Sequence, residues 1–82
     1  MITEVDINFE FGKRVTYLRK KRGYSQEDLA FATGLNKNYI SDIERGTRNP
    51  TLKAVSKIAK GLNMTIEELF KGIGGTYNLW KV

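Results

Sequence analysis

Apolar residues recur along this chain at two different spacings. From Val5 to Phe11 they alternate with polar ones, a period of two that suits a strand. From Phe11 the spacing lengthens, and Phe11, Val15 and Leu18 fall at i, i+4 and i+7 on one face of a helix. The helix is expected to claim Phe9 onward, with Asn8 or Asp6 as its cap, leaving residues 2–7 as an extended arm. It runs to about Arg22, where Gly23 stops it.

The next stretch, Ser25 to Gly46, organises the rest. Ser25 caps a second helix, and Asp28 three residues on makes a variant of the capping box. Leu29, Ala30 and Ala32 give it packing positions. Gly34 sits where a left-handed residue ends a helix, a conformation that only glycine adopts without steric cost. Leu35 plugs back into the core, and Asn36 caps a third helix through Ile40 and Ile43 to Gly46. Two short helices joined by so tight a turn follow the helix-turn-helix plan, which lays the second helix in a DNA major groove.

Pro50 biases Asn49 away from helical angles, so residues 46–50 form a turn. Thr51 caps a fourth helix with Leu52, Val55, Ile58, Ala59 and Leu62 on one stripe and Gly61 weakening its last turn. Thr65 caps a fifth, T-I-E-E-L-F-K-G, with Glu68 completing a capping box and Met64, Ile66, Leu69 and Phe70 on the buried side. Gly72, Gly74 and Gly75 then break the pattern. Tyr77, Leu79, Trp80 and Val82 are too apolar for a free tail: they fold back on the core or bury against a second subunit. The subunit interface is preferred because so small a monomer gains by sharing core. A small sheet pairing residues 2–7 with 76–82, within or between chains, is a further expectation. The predicted fold is all-α and has five helices: an N-terminal arm over 1–8, a helix-turn-helix domain over 9–71 and a Gly-rich apolar tail over 72–82.

Composition narrows the chemistry. The chain has 82 residues, enough for one small domain, with no cysteine and no histidine. Disulfides, thiolate or imidazole metal sites and histidine catalysis are excluded. The nine acids are scattered, so neither a metal nor a cofactor is expected, and no nucleophile–base pair marks an enzyme. Acids stand where a signal peptide would need a basic flank, and no membrane span is expected. A bacterial or phage cytoplasmic setting fits. The net charge is +5, but residues 11–63 hold 12 of the 14 Lys and Arg against four acids (Glu27, Asp28, Asp42, Glu44), a local balance of +8. A basic middle with acidic ends is either a footprint for phosphate or an ordinary solvated surface. The run Arg19-Lys20-Lys21-Arg22 suits both a helix C-terminal dipole and phosphate contact.

A helical wheel separates roles on the third helix. Ile40 and Ile43 face the core, while Lys37, Asn38, Ser41, Asp42 and Arg45 fall on the opposite arc. Lys37 and Asn38 come first, where a recognition helix points at base edges. Lys donates to guanine and Asn bonds adenine bidentately; Ser41, one turn on, reaches base or phosphate. Asp42 either accepts from cytosine N4 or is kept clear of phosphates to penalise wrong sequences, the second being preferred. Tyr39, at the wheel's edge, suits backbone or thymine-methyl contact, or packing on the fourth helix. Gln26, on the helix that crosses the backbone, suits a phosphate. Arg48 suits phosphate or groove contact. Glu44 falls beside Ile40 and needs a buried partner, for which Arg19 is the natural one.

The segment Arg19, Ser25-Gln-Glu-Asp-Leu-Ala, Gly34, Ile40-Ser, Ile43-Glu-Arg-Gly46 and Asn49-Pro50-Thr51 resembles the lambda-repressor/Cro type of helix-turn-helix, the XRE family. The resemblance covers about residues 9–70 and implies five helices. It also implies phosphate contact by Gln26, base-facing Lys37, Asn38 and Ser41, and a structural salt bridge between Arg19 and Glu44. Within the family, the wording N-K-N-Y-I-S-D-I-E-R-G-T-R-N-P-T is similar to the controller proteins of restriction–modification systems. That likeness implies a homodimer on operators upstream of its own and the endonuclease gene, activating at one occupancy and repressing at a higher one. Lys37, Asn38, Tyr39 and Arg48 would take part in operator binding, and the fifth helix would supply the dimer interface. Activation implies RNA polymerase as a further partner. The apolar, glycine-rich tail departs from the pattern.

The expected function is therefore a homodimeric regulator of transcription binding double-stranded DNA at a pseudo-palindromic operator. Bases are read by Lys37, Asn38 and Ser41, and backbone or groove is met by Gln26, Tyr39, Arg45 and Arg48. The dimer would be held by Ile66, Leu69, Phe70, Tyr77, Leu79 and Trp80. The rival readings are an antitoxin-type module whose terminal segments cover a protein partner, and a phage-type repressor.

Overall fold

The computed structural model describes residues 6–73. Their regular structure is five helices: α1 (Ile7–Lys21), α2 (Gln26–Thr33), α3 (Lys37–Arg45), α4 (Leu52–Gly61) and α5 (Ile66–Leu69). α1 packs on α3, α2 on α3 and α4, and α5 on α4. Val15, Leu29, Ile40, Ile58, Leu62 and Leu69 are fully buried where these helices meet.

Local chemistry sets the boundaries. Asp6 is the cap of α1, its carboxylate accepting from Asn8 N at 3.1 Å and Phe9 N at 3.3 Å. The helix thus begins two residues before Phe9, and the strand suggested by alternation does not form over residues 7–11. Ile7 and Phe11, four apart, instead line one groove, as i and i+4 positions of a helix do. Ser25–Asp28 and Thr65–Glu68 are both complete capping boxes. Gly34 and Gly46 close α2 and α3 in the left-handed region, with φ of 74° and 80°.

Two glycines also let helices meet at backbone distance. A Cβ on Gly12 would stand 2.3 Å from the Ile43 carbonyl oxygen and 2.7 Å from that of Glu44, so the end of α3 lies directly on α1. A Cβ on Gly46 would stand 2.9 Å from Phe9 Cα. The angle at which α3 leaves the body is fixed by these contacts.

Several expectations are corrected. Leu52 lies 86% exposed at the first position of α4, short of the core, so the buried side of the helix starts at Ala54 and Val55. α5 is a single turn, and Ile66 is 51% exposed rather than on its buried side. Leu69 has no exposed surface and belongs to the protomer's own core, which removes it from the dimer residues. Phe70 is partly buried, its ring stacked on Phe11 with centroids 5.1 Å apart. Ile73 also packs on the core, with its N–H on Phe70 O at 3.0 Å, so the folded body extends past the boundary placed at Gly72. Tyr77, Leu79, Trp80 and the sheet pairing 2–7 with 76–82 lie wholly or mostly outside the described residues.

Periodicity also passed over Arg14, which is buried between Phe11 and Leu18 on the core side of α1. Its Nε donates to Leu69 O at 3.1 Å and its Nη2 to Glu68 O at 2.7 Å. Both carbonyls lie at the end of the one-turn helix, where Glu68 O also accepts from Lys71 N at 3.3 Å. Burial lowers the guanidinium's pKa from its ordinary value, partly opposed by Tyr17. The signal was its register on the apolar stripe: a cation there must find a partner.

Candidate nucleic-acid interface

α3 owes its orientation to a buried polar cluster on its inner side. Arg19 Nε donates to Glu44 Oε2 at 2.6 Å and Arg19 Nη2 to Glu44 Oε1 at 3.0 Å, a two-pronged pair. The side chains are only 10% and 6% exposed. Arg19 Nη1 donates to Tyr24 O at 2.7 Å, and Gln26 Nε2 to Glu44 Oε1 at 3.0 Å. One carboxylate at the end of α3 thereby ties α1, the loop before α2 and the first residue of α2 together. Ile40 and Ile43 complete the attachment from the apolar side.

The opposite face of α3 is open. Asn36 caps it, the side-chain oxygen accepting from Asn38 N at 2.7 Å. Lys37 and Asn38 are exposed in the first turn, where side chains project away from the body. Ser41 follows, partly exposed, its Oγ accepting from Arg45 Nη1 at 2.6 Å. The serine hydroxyl keeps its own proton to donate. Of the two Gln26 amide protons one is committed to Glu44, which leaves the other as a donor at the start of α2.

Of the two roles expected of Tyr39, the structure shows the packing at the start of α4. Its ring packs partly against the core, its hydroxyl accepts from Thr51 N at 3.3 Å, and its outer face carries the Arg48 guanidinium 4.8 Å from the centroid. Arg45 and Arg48 do not stand alone. Both are ion-paired to Asp42, Arg45 through Nη2 to Oδ1 and Arg48 through Nη2 to Oδ2 at 3.3 Å. Neither role expected of Asp42 included holding these two cations.

Lys53 and Lys57 join this face without having been expected there. They stand one turn apart on α4 and line the same groove as Asn38, Tyr39 and Arg48. Their i, i+4 spacing opposite the Val55–Ile58–Ala59 stripe was the available signal. Lys20, Lys21 and Arg22 are exposed at the end of α1, whereas Arg19 of that basic run faces inward to Glu44. Among the described residues, no group of acids is arranged to hold a metal ion, and no helix is long and apolar enough to cross a membrane.

Comparison with known proteins gives this face a context. The helix-turn-helix family model HTH_3 matches residues 15–69. The chain is 46% identical over 65 residues to control protein C.BamHI of Bacillus amyloliquefaciens, covering 78% of this chain and 80% of that protein. Among solved structures, it is similar to the restriction-modification controller protein C.AhdI from Aeromonas hydrophila, with a TM-score of 0.75 and 43% identity. That match covers 77% of this chain and 96% of C.AhdI. The controller protein C.Esp1396I, solved as a tetramer in complex with its natural 35 base-pair operator, matches with a TM-score of 0.76 at 35% identity, over 83% of this chain and 90% of that one.

Proposed function

The chain belongs to the HTH_3 helix-turn-helix family, and from that membership we propose that it is a restriction–modification controller protein. In this reading it is a non-catalytic regulator that binds double-stranded operator DNA as a homodimer, upstream of its own and the endonuclease gene, in a bacterial or phage cytoplasm. The observation that carries this reading is the outward face of α3. Its exposed first turn holds Lys37 and Asn38, and its inner side is locked to the body by Glu44. Lys37, Asn38 and Ser41 contact bases. Gln26, Tyr39, Arg45 and Arg48 contact backbone or groove, and Lys53 and Lys57 extend the phosphate track along α4.

Selection from a pool of random-sequence duplexes tests the reading. Enriched sites should contain two inverted half-sites whose centres lie about one helical turn, roughly 34–36 Å, apart or a multiple of that. A pool with no enrichment would rule the reading out. Reading frames for a methyltransferase and an endonuclease beside the gene would point to the controller assignment within the family.

The dimer seam in this reading runs along the apolar face that the fold leaves open. Ile7, Leu52 and partly buried Phe70 border one groove, and Ile66 stands one turn before Phe70. Leu52→Lys should convert the dimer to a monomer in sedimentation at micromolar concentration while leaving the melting of the protomer core unchanged. An unaltered dimer would place the seam elsewhere.

A further inference from the structure

Asp42 is an acid in the middle of a face that must approach a polyanion. Lys37, Arg45 and Arg48 are the cations between Asn36 and Thr51 that point away from the body, and two of the three are spent on Asp42. The carboxylate is well placed for this double task, because each of its oxygens takes one guanidinium. Its side chain is 28% exposed, against 60% for Arg45 and 48% for Arg48, so the acid is the sheltered centre and the arginines its outer rim.

The main chain of Asp42 binds the same loop. Thr47 N and Thr47 Oγ1 both donate to Asp42 O, at 3.0 and 3.2 Å. Arg48 is thus positioned by Asp42 through the loop as well as directly, and its guanidinium is held between that carboxylate and the Tyr39 ring. Arg45 reaches Ser41 with its other terminal nitrogen, which couples a base-reading side chain to the same acid.

We propose that Asp42 is a positioning residue that withholds Arg45 and Arg48 from phosphate and thereby sets how strongly the protein separates its operator from random DNA. The inference rests on the DNA-binding reading above. Random duplex is bound almost wholly by exchanging counterions for cationic side chains. An arginine already paired to Asp42 must give up a carboxylate to gain a phosphate, and the carboxylate left behind repels the same backbone. Base contacts by Lys37, Asn38 and Ser41 carry binding on the correct sequence with the Asp42 pairs intact, whereas random duplex offers only phosphate for the cations to gain. The penalty therefore falls mostly on the wrong DNA.

Asp42→Asn removes the charge and keeps the shape. Its affinity for a fixed 30 base-pair random duplex should rise about tenfold, and the slope of log affinity against log salt should steepen by about 0.9 for each arginine freed. Affinity for a duplex selected by the parental protein should rise less than the random-duplex affinity does, so that the ratio of the two falls. Asp42→Glu, which restores the charge, should restore the ratio and the slope. Exposed pairs of this kind contribute little to stability, so the melting temperature should stay near the parental value. Equal gains on both duplexes, an unchanged slope, or a ratio that Asp42→Glu fails to restore would each overturn the inference and leave the DNA-binding reading intact. Failure of the parental protein to select any duplex would overturn that reading and, with it, this one.

Discussion

Glu44→Ala is expected to lower the free energy of unfolding by about 3–5 kcal/mol. The cost comes from the partners the substitution strands. Arg19 loses both of its side-chain acceptors and retains only Tyr24 O, while its charge stays nine-tenths enclosed. The Gln26 amide loses its acceptor as well. A domain of this size has a total stability of order 5–15 kcal/mol, so the variant should lose a large share of it. Urea melts followed by circular dichroism measure it directly, and a midpoint equal to the parental one would mean that the pair is not buried in solution. A second variant separates a stranded charge from a lost attraction. Arg19→Met with Glu44→Leu leaves no ion unpaired and should recover much of the loss, because an apolar pair of similar volume often replaces a buried salt bridge at little cost. Such a rescued protein should still bind its operator poorly. The cluster aligns α1 and α2 with α3 through directional hydrogen bonds that Met and Leu do not reproduce.

The Arg19–Glu44 pair at the centre of that cluster is legible in the amino-acid sequence, and the reason is geometric. Glu44 falls at the i+4 position from Ile40 on a helix whose core face is well marked, and a carboxylate at that register needs a cation. The capping residues are legible for a similar reason, since Ser25, Asn36, Thr51 and Thr65 each act within three residues of themselves. Relations between distant elements are not. The Gly12 contact with α3 depends on the angle at which two helices meet, and nothing in the local sequence marks Gly12 as a crossing point rather than a weak helical residue. Leu52 and Ile66 fit the apolar period but lie at first-turn positions that the core does not reach, and period alone cannot measure reach. Leu69 entered the interface with the whole fifth helix, as the likeness to controller proteins implies, and that likeness does not separate the one residue of α5 that is buried in the protomer from the exposed ones beside it. On the outward face of α3, the i, i+3 spacing of Asp42 and Arg45 was a readable signal for their pair, whereas Arg48 lies in the loop beyond the helix and its approach to the same acid was not.

Replacing Lys37 and Asn38 together by alanine should remove most of the preference for operator over random duplex. Each well-placed side-chain pair on a base edge contributes about 1–3 kcal/mol of discrimination, so the two together are expected to give about 2–6 kcal/mol. That corresponds to a fall of roughly 30-fold or more in the ratio of operator to random-duplex affinity. Both residues are exposed, and neither side chain takes part in the core or in the Arg19–Glu44 cluster. Asn36, the residue that caps α3, is left in place, and alanine is a better helix former than asparagine. The melting curve should therefore match the parental one. Lys53 and Lys57 on α4 and the exposed basic end of α1 remain, so affinity for random duplex should fall only modestly, with a change of about 0.9 or less in the log–log salt slope from the loss of Lys37. Fluorescence anisotropy titrations on the selected operator and on a scrambled duplex of the same composition distinguish the outcomes. A proportional loss on both duplexes would make Lys37 and Asn38 phosphate contacts rather than readers. Full discrimination in the double variant would move sequence recognition off the first turn of α3, to Ser41 or to the loop that carries Arg48.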